Sequence, residues 1–162
     1  MNMGYTTDFS GQFELNKMLD KETAQMITQL AQTRRMKRDT TILKELGFTG
    51  DYGVEGEFFA EGDYSTDVAV ESITDYNRPP SSQPSLYLQW IPTEDWLGIC
   101  WDENEKFNEY EEWIRYLIDK ILEPKGYVLN GDIEFQGECF EDRGLLRILD
   151  NHLTVMTTIT YS

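Results

Sequence analysis

The sequence predicts a single α+β domain, an antiparallel or mixed sheet of about five or six strands packed against two main helices. Three observations lead there. Two stretches, within 23–31 and 107–121, repeat apolar residues at the three- and four-residue spacing of amphipathic helices. Short runs rich in aromatic and β-branched residues surround them, separated by Pro, Gly, Asn and Asp. With 162 residues, 40% of them hydrophobic, the span 1–162 has one domain's length and can fill a core without disulfide or metal staples.

The elements follow in order. Residues 4–15 hold Phe9, Phe13 and Leu15 in partial alternation, a first strand with Gly11 as a bend or bulge. Asp20 caps a helix through KETAQMITQLAQTRRMKR, with Met26, Ile27, Leu30 and Ala31 on its apolar face and Thr23 or Ala24 extending it. Arg34 and Arg35 fall in its last turn, where cations suit the helix dipole. Residues 40–46 make a short helix ended by Gly47. Residues 47–63 read as acidic, glycine-rich loop, with room for one edge strand, and hold the exposed-looking aromatics Phe48, Tyr52, Phe58 and Phe59. An apolar alternation at Val68, Val70 and Ile73 is closed by YNRPPSSQP, which suits neither ladder nor helix interior.

LYLQWI at 86–91 and LGICW at 97–101 pair as a hairpin across PTEDW. A long helix over about 105–122 follows, with Phe107, Tyr110, Ile114, Leu117, Ile118 and Ile121 as its stripe and Pro124 and Gly126 as its stop. YVLNGDIEF at 127–135 is a strand region in which Asn130-Gly131 makes either a tight turn or a bulge. Residues 145–161 form a closing hairpin that turns at Asp150-Asn151. This succession contains the βαββαβ order of a ferredoxin-like fold, with a C-terminal hairpin added.

The formal charge is -16, with fourteen Lys and Arg against thirty Asp and Glu. Residues 1–44 carry a net +2, residues 45–142 a net -19 and residues 143–162 a net +1. A field of that sign repels nucleic-acid backbones and anionic lipid and attracts basic protein surfaces. Direct nucleic-acid binding is therefore disfavoured. No 18-residue apolar run suits a membrane helix, and residues 1–20 show no secretory pattern, so the expected address is the cytoplasm.

Catalytic patterns fail one by one. Cys100 and Cys139 belong to no C-x-x-C or zinc spacing and read as two free thiols, with a redox pair or a disulfide as the alternative. His152 stands alone beside the last turn. Asp102 to Lys106 opens like a calcium loop, yet Phe107 and Trp113 stand where Gly and the bidentate Glu belong; Asp63 to Asp67 fails similarly at Val68 and Thr74. Gly50, Gly53 and Gly56 lack the phosphate-loop spacing. Glu105, Glu109 and Glu112 share a helical face that could hold a hard cation and that equally suits a solvated side. Glu94-Asp95 could do acid/base work or simply make a turn. No cofactor is expected.

The densest aromatic stretch is 76–101. A hairpin buries one face more easily than two, so an aromatic anchor left outside and rimmed by acids would make a docking surface. The candidates for that surface are Trp90, Glu94, Asp95, Trp96, Asp102 and Glu103. Arg34 and Arg35 lead the basic run Arg34–Arg38, which suits phosphate contact, an intramolecular role against the acidic middle, or self-association.

Four stretches, GYTTDFSGQFELN at 4–16, TRRMKRD at 33–39, DYNRPPSSQPSLYLQWIPTED at 75–95 and EWIRYLIDKILEPKGYVLNGDIEFQGE at 112–138, resemble a family of small acidic bacterial and phage proteins of uncharacterised function. Trp96 stands where that family pattern has Gly after PTED, and Cys139 where it has an acid after QGE. The resemblance implies a phage-related context, with modulation of a host protein as the setting. The expected function is a non-enzymatic binding or modulator protein that presents an acidic surface, in one form mimicking nucleic acid, to a basic protein partner. The alternatives are a carboxylate-dependent, divalent-metal-assisted enzyme using Glu94, Asp95 and the Glu105 face, and a structural or regulatory oligomer.

Overall fold

The computed structural model describes residues 6–61 and 68–157. The calcium-like stretch Asp63–Asp67, residues 4 and 5 of the first strand and residues 158–161 of the last hairpin lie outside that range. Contacts group the chain into two compact units: the described residues up to Ala24 with those from Gln89 onward, and the continuous segment Gln25–Leu88.

The first unit is built on a seven-stranded, wholly antiparallel sheet. Its strands are β1 (Thr7–Gly11), β2 (Phe13–Leu15), β5 (Trp90–Pro92), β6 (Gly98–Trp101), β7 (Leu129–Gly137), β8 (Arg143–Leu149) and β9 (His152–Thr157). They run β5-β6-β2-β7-β8-β9, with β1 also on β7. Within that path β5-β6-β2-β7 has the interleaved order of a split βαββαβ arrangement, and β8-β9 extends it.

The first expected strand is two strands because the chain kinks at Gly11 and β7 kinks opposite it. Gly11 has φ 106° and Gly131 φ 128°, a region side chains rarely enter. A Cβ on Gly11 would lie 3.1 Å from the Asp132 carbonyl, and one on Gly131 3.3 Å from that of Gln12. Asn130-Gly131 is thus an irregularity inside β7 and not a turn. Asp150-Asn151 is the two-residue turn of β8–β9, with φ 47° and 69°, the left-handed pair of a type I′ hairpin.

The sheet buries Phe9, Phe13, Ile99, Ile133, Phe135, Leu146 and Ile148. Helix α3, Tyr110–Tyr116, continues as a wider π turn over Leu117–Leu122 and a 3-10 turn over Glu123–Lys125, and Gly126 ends it at φ 82°. Trp113, Ile114, Leu117, Ile118, Ile121 and Leu122 are its buried stripe. The helix starts five residues later than its periodicity suggests. Glu103, Lys106 and Glu109 all take left-handed φ, and Phe107 turns into the core between the rings of Phe9 and Trp90.

Helix α1, Lys21–Gln32, begins as predicted. The Thr23 amide and hydroxyl donate to the Asp20 carboxylate at 2.8 and 3.0 Å, and the Tyr127 hydroxyl donates at 2.9 Å. Led by the Thr23 amide, these bonds lower the Asp20 carboxyl from 3.8 to about 2. A carboxyl depressed in the folded state contributes stability above its unfolded value and loses it as pH falls through the folded one. Stability is therefore expected to drop between about pH 4 and about pH 2, and Asp20→Asn to flatten that drop in acid unfolding curves.

In the segment Gln25–Leu88, α2 (Thr40–Glu45) is capped by Asp39, which accepts from the Thr41 and Ile42 amides at 2.8 and 3.2 Å. Strands β3 (Lys37–Arg38) and β4 (Ile73–Asp75) pair antiparallel. The rest is irregular. Phe59 is not an exposed aromatic: it is buried, with Phe48 and Tyr52 edge-on at 5.3 Å. Among the described residues no helix is long and apolar enough to cross a membrane.

Candidate functional site

The acids of the first unit concentrate in residues 94–112, which hold eight Asp and Glu and one Lys. Structurally this strap is the β5–β6 turn, strand β6, a loop, and the first turn of α3. The unit as a whole carries eight basic against twenty acidic residues, while Gln25–Leu88 carries six against ten. Most of the excess charge thus belongs to the sheet unit.

At the turn, the Asp95 carboxylate accepts from the Thr93 hydroxyl at 2.7 Å and the Leu97 amide at 3.0 Å. These bonds, the hydroxyl first, hold its carboxyl below the ordinary value. Asp95 is an ionised turn fastener, which explains its place without catalysis. Trp96 sits beside it at φ 61°, half-buried, and its carbonyl accepts from the Leu19 amide at 2.9 Å. Glu94 is exposed.

β6 carries the chain roughly 13 Å to Asp102, so the turn acids and the loop acids lie at opposite ends of this strand and do not converge. The Asp102 amide donates to the Gln89 carbonyl at 3.0 Å, and its carboxylate accepts from the Asn104 amide and side chain at 2.9 and 3.0 Å. Burial raises its carboxyl against the pull of those two bonds. Beneath the loop the buried Gln89 donates from Nε2 to the Lys106 carbonyl at 3.2 Å. Glu103 and Glu105 face solvent.

Glu109 opens α3 at φ 60°. A hydrogen bond with the Glu112 carboxyl raises its own, followed by burial and by the charges of Glu112 and Glu111. The charges that act on the Glu109 carboxyl are those of other acids. Among the described residues the strap has one ion pair, Glu111 to Arg115 at 3.8 Å, an exposed contact worth little. Glu105 and Glu109 precede the helix, so the three-carboxylate helical face does not exist as predicted. No group of three or more His, Cys, Asp or Glu among the described residues could hold a metal ion. Cys100 is half-buried, and burial, then Glu103 and Asp102, push its thiol up, away from the reactive thiolate.

Two surface candidates are not on the surface. Trp90 is 0% exposed: Phe9, Phe13 and Phe107 pack on its ring at 5.2, 5.9 and 5.1 Å, and its Nε1 donates to the Tyr110 carbonyl at 2.9 Å. The β5 face that carries it is the core face. Arg35, in the other unit, is 1% exposed.

The basic run that begins at Arg34 is consumed inside Gln25–Leu88, and its first members follow α1 instead of ending it. Thr33 bonds back to the Gln29 carbonyl at 3.0 Å, and the Arg35 amide leaves the helix for the Leu86 carbonyl at 2.8 Å. The Arg34 guanidinium donates to the Tyr76 carbonyl at 3.1 and 3.0 Å and to the Tyr87 hydroxyl at 2.7 Å. Arg35 donates to the carbonyls of Glu57, at 3.2 Å, and Phe59. Arg38 donates to the Val68 and Ala69 carbonyls and the Ser72 hydroxyl at 2.8, 3.2 and 3.0 Å, lying 4.2 Å over the Phe59 ring. Lys37 pairs with Glu55 at 3.5 Å. Of the open readings for this run, the intramolecular one matches the contacts.

Sequence reasoning missed the three left-handed residues of the loop and the groove of about 410 Å³ across the open sheet face, where Asp8, Glu134 and Arg143 lie around Leu145 and Met156. The groove had a signal, the polar alternates of β1, β7 and β8; the loop had none. Compared with family models, curated proteins and solved structures, the chain matches none of them.

Proposed function

We propose that this chain is a non-enzymatic binding or modulator protein whose acidic strap, residues 94–112, docks on a basic surface of a partner protein, in the cytoplasm and in a phage-related setting. The observation that supports this most is the cation deficit of the strap: eight acids, one lysine and a Glu109 carboxyl raised by its acidic neighbours. Such a surface has electrostatic free energy to release when a partner's Lys and Arg approach. The strap also keeps its acids on a backbone pinned by Asp95, Asp102, Gln89 and Phe107, so little chain entropy is lost on docking. The enzyme alternative loses its base in Asp95, whose carboxylate is tied into its own turn.

The test is capture on the immobilised full chain, with elution from about 50 to about 300 mM salt. A basic partner should elute as salt rises, and Glu103→Lys with Glu105→Lys and Glu112→Lys should weaken binding at least about tenfold while leaving the melting temperature in place. Competition by duplex DNA for that partner would identify the nucleic-acid-mimicking form. Partners without a basic surface, held equally at all salt concentrations, would remove this reading.

A further inference from the structure

The strand path β5-β6-β2-β7-β8-β9 ends on two edges of different character. β5 is three residues long and closes on Pro92, which has no amide hydrogen to offer, a blunted edge. β9 is six residues long, HLTVMT, without Lys, Glu, Pro or an irregular pairing, and among the described residues it pairs with β8 alone. An edge of that composition is a template for another strand.

Its geometry specifies how. The two-residue turn makes Leu149–His152 a hydrogen-bonded pair, and alternation then assigns the hydrogen bonds with β8 to Thr154 and Met156. The N–H and C=O of Leu153 and Val155 therefore point to the open side. Their side chains stand opposite Ile148 and Leu146 on the core face and are half-buried, while Thr154 is exposed on the other face.

Charge selects the occupant. Residues 143–162 contain Arg143, Arg147 and Asp150, a net +1, in a chain of -16. A basic segment is drawn to the acidic strap and not to this edge. A second copy meets its own strand here, which holds no Asp or Glu.

We propose that β9 is a self-association edge: two copies join their β9 strands antiparallel about a two-fold axis at Thr154, and the sheet continues from one into the other. In that register Leu153 of each copy lies opposite Val155 of the second, and their outward groups exchange roughly four main-chain hydrogen bonds. Thr154 meets Thr154 of the second copy with Cβ atoms about 5 Å apart. The contact is isologous and closes at a dimer.

Sedimentation equilibrium of the full chain from about 1 to about 300 μM tests it. A monomer–dimer equilibrium is expected, with Thr154→Lys raising the dissociation constant at least about tenfold by setting two ammonium groups face to face. Val155→Pro removes an outward N–H without touching the β8 ladder and should act similarly; its melting curve shows whether it folds. Thr154→Cys, in a Cys139→Ser background, should gain an oxidant-dependent covalent dimer, since paired Cβ atoms near 4–5 Å accept a disulfide with small adjustment. Added salt should tighten the dimer, opposite in sign to docking on a basic partner, so failure of one proposal is distinguishable from failure of the other. A monomer at every concentration, or a dimer that Thr154→Lys leaves unmoved, overturns it.

Discussion

Arg35→Ala is expected to destabilise the segment Gln25–Leu88 by about 3–5 kcal/mol. The guanidinium is 1% exposed and serves the carbonyls of Glu57 and Phe59. Alanine leaves the buried Phe59 carbonyl without this donor, at about 1–3 kcal/mol, and adds a cavity of nearly a whole side chain, while the Glu57 carbonyl keeps the Gln83 amide at 2.6 Å. Arg35→Lys recovers little, because one ammonium cannot reproduce a planar fork that reaches two carbonyls. Arg35→Met, which keeps the volume and removes the cost of burying the charge, should fall in between. Arg34→Ala is the control: the same charge, half-buried, with a loss of about 1 kcal/mol. Urea unfolding ranks the four, and hydrogen exchange at the Arg38 amide, which bonds the Glu55 carbonyl at 2.8 Å, localises the effect. Equal losses for Arg34→Ala and Arg35→Ala would mean that charge, and not the buried fork, holds this unit.

Trp90→Ala is expected to cost about 3–5 kcal/mol in the sheet unit without weakening the binding of a basic partner by the folded fraction. The indole fills the space between Phe9, Phe13 and Phe107, and Phe9 in turn stands edge-on to Trp101 and Tyr110 at 5.3 and 4.9 Å. Edge-to-face packing of this kind adds to the burial term. Trp90→Phe should cost about 1–2 kcal/mol, since it keeps most contacts and loses the bond from Nε1 to the Tyr110 carbonyl. Denaturant midpoints give both values. Unchanged stability with abolished binding would return Trp90 to the role of docking anchor.

What could be read from the sequence was whatever local chemistry decides. Asp20 with Thr23, the turns at Thr93–Leu97 and Asp150-Asn151, and the stop at Pro124 and Gly126 all lie where neighbouring residues dictate them, and the α+β class followed. Errors came where partners distant in sequence decide. α1 ends at Gln32 because Arg35 finds the carbonyls of Leu86, Glu57 and Phe59, more than twenty residues away. α3 starts late because Phe107 is taken into the core by Phe9, almost a hundred residues earlier. The acidic rim was visible as charge, whereas the face of Trp90 depended on a register that no single strand reveals.

The pairing of β1 with β7 also constrains when the protein can finish folding. Thr7 meets Gly137 and Gly11 meets Ile133, so the first strand of the sheet waits for a partner made some 130 residues later. At about 5–20 residues per second, those N-terminal residues leave the ribosome many seconds before the strand that covers them exists. The arginine-centred segment, continuous in sequence, suffers no such delay. From the emergence of residue 88 until β7 follows, nascent chains therefore carry a completed insert and an unpaired first strand, the interval in which a chaperone has something to hold.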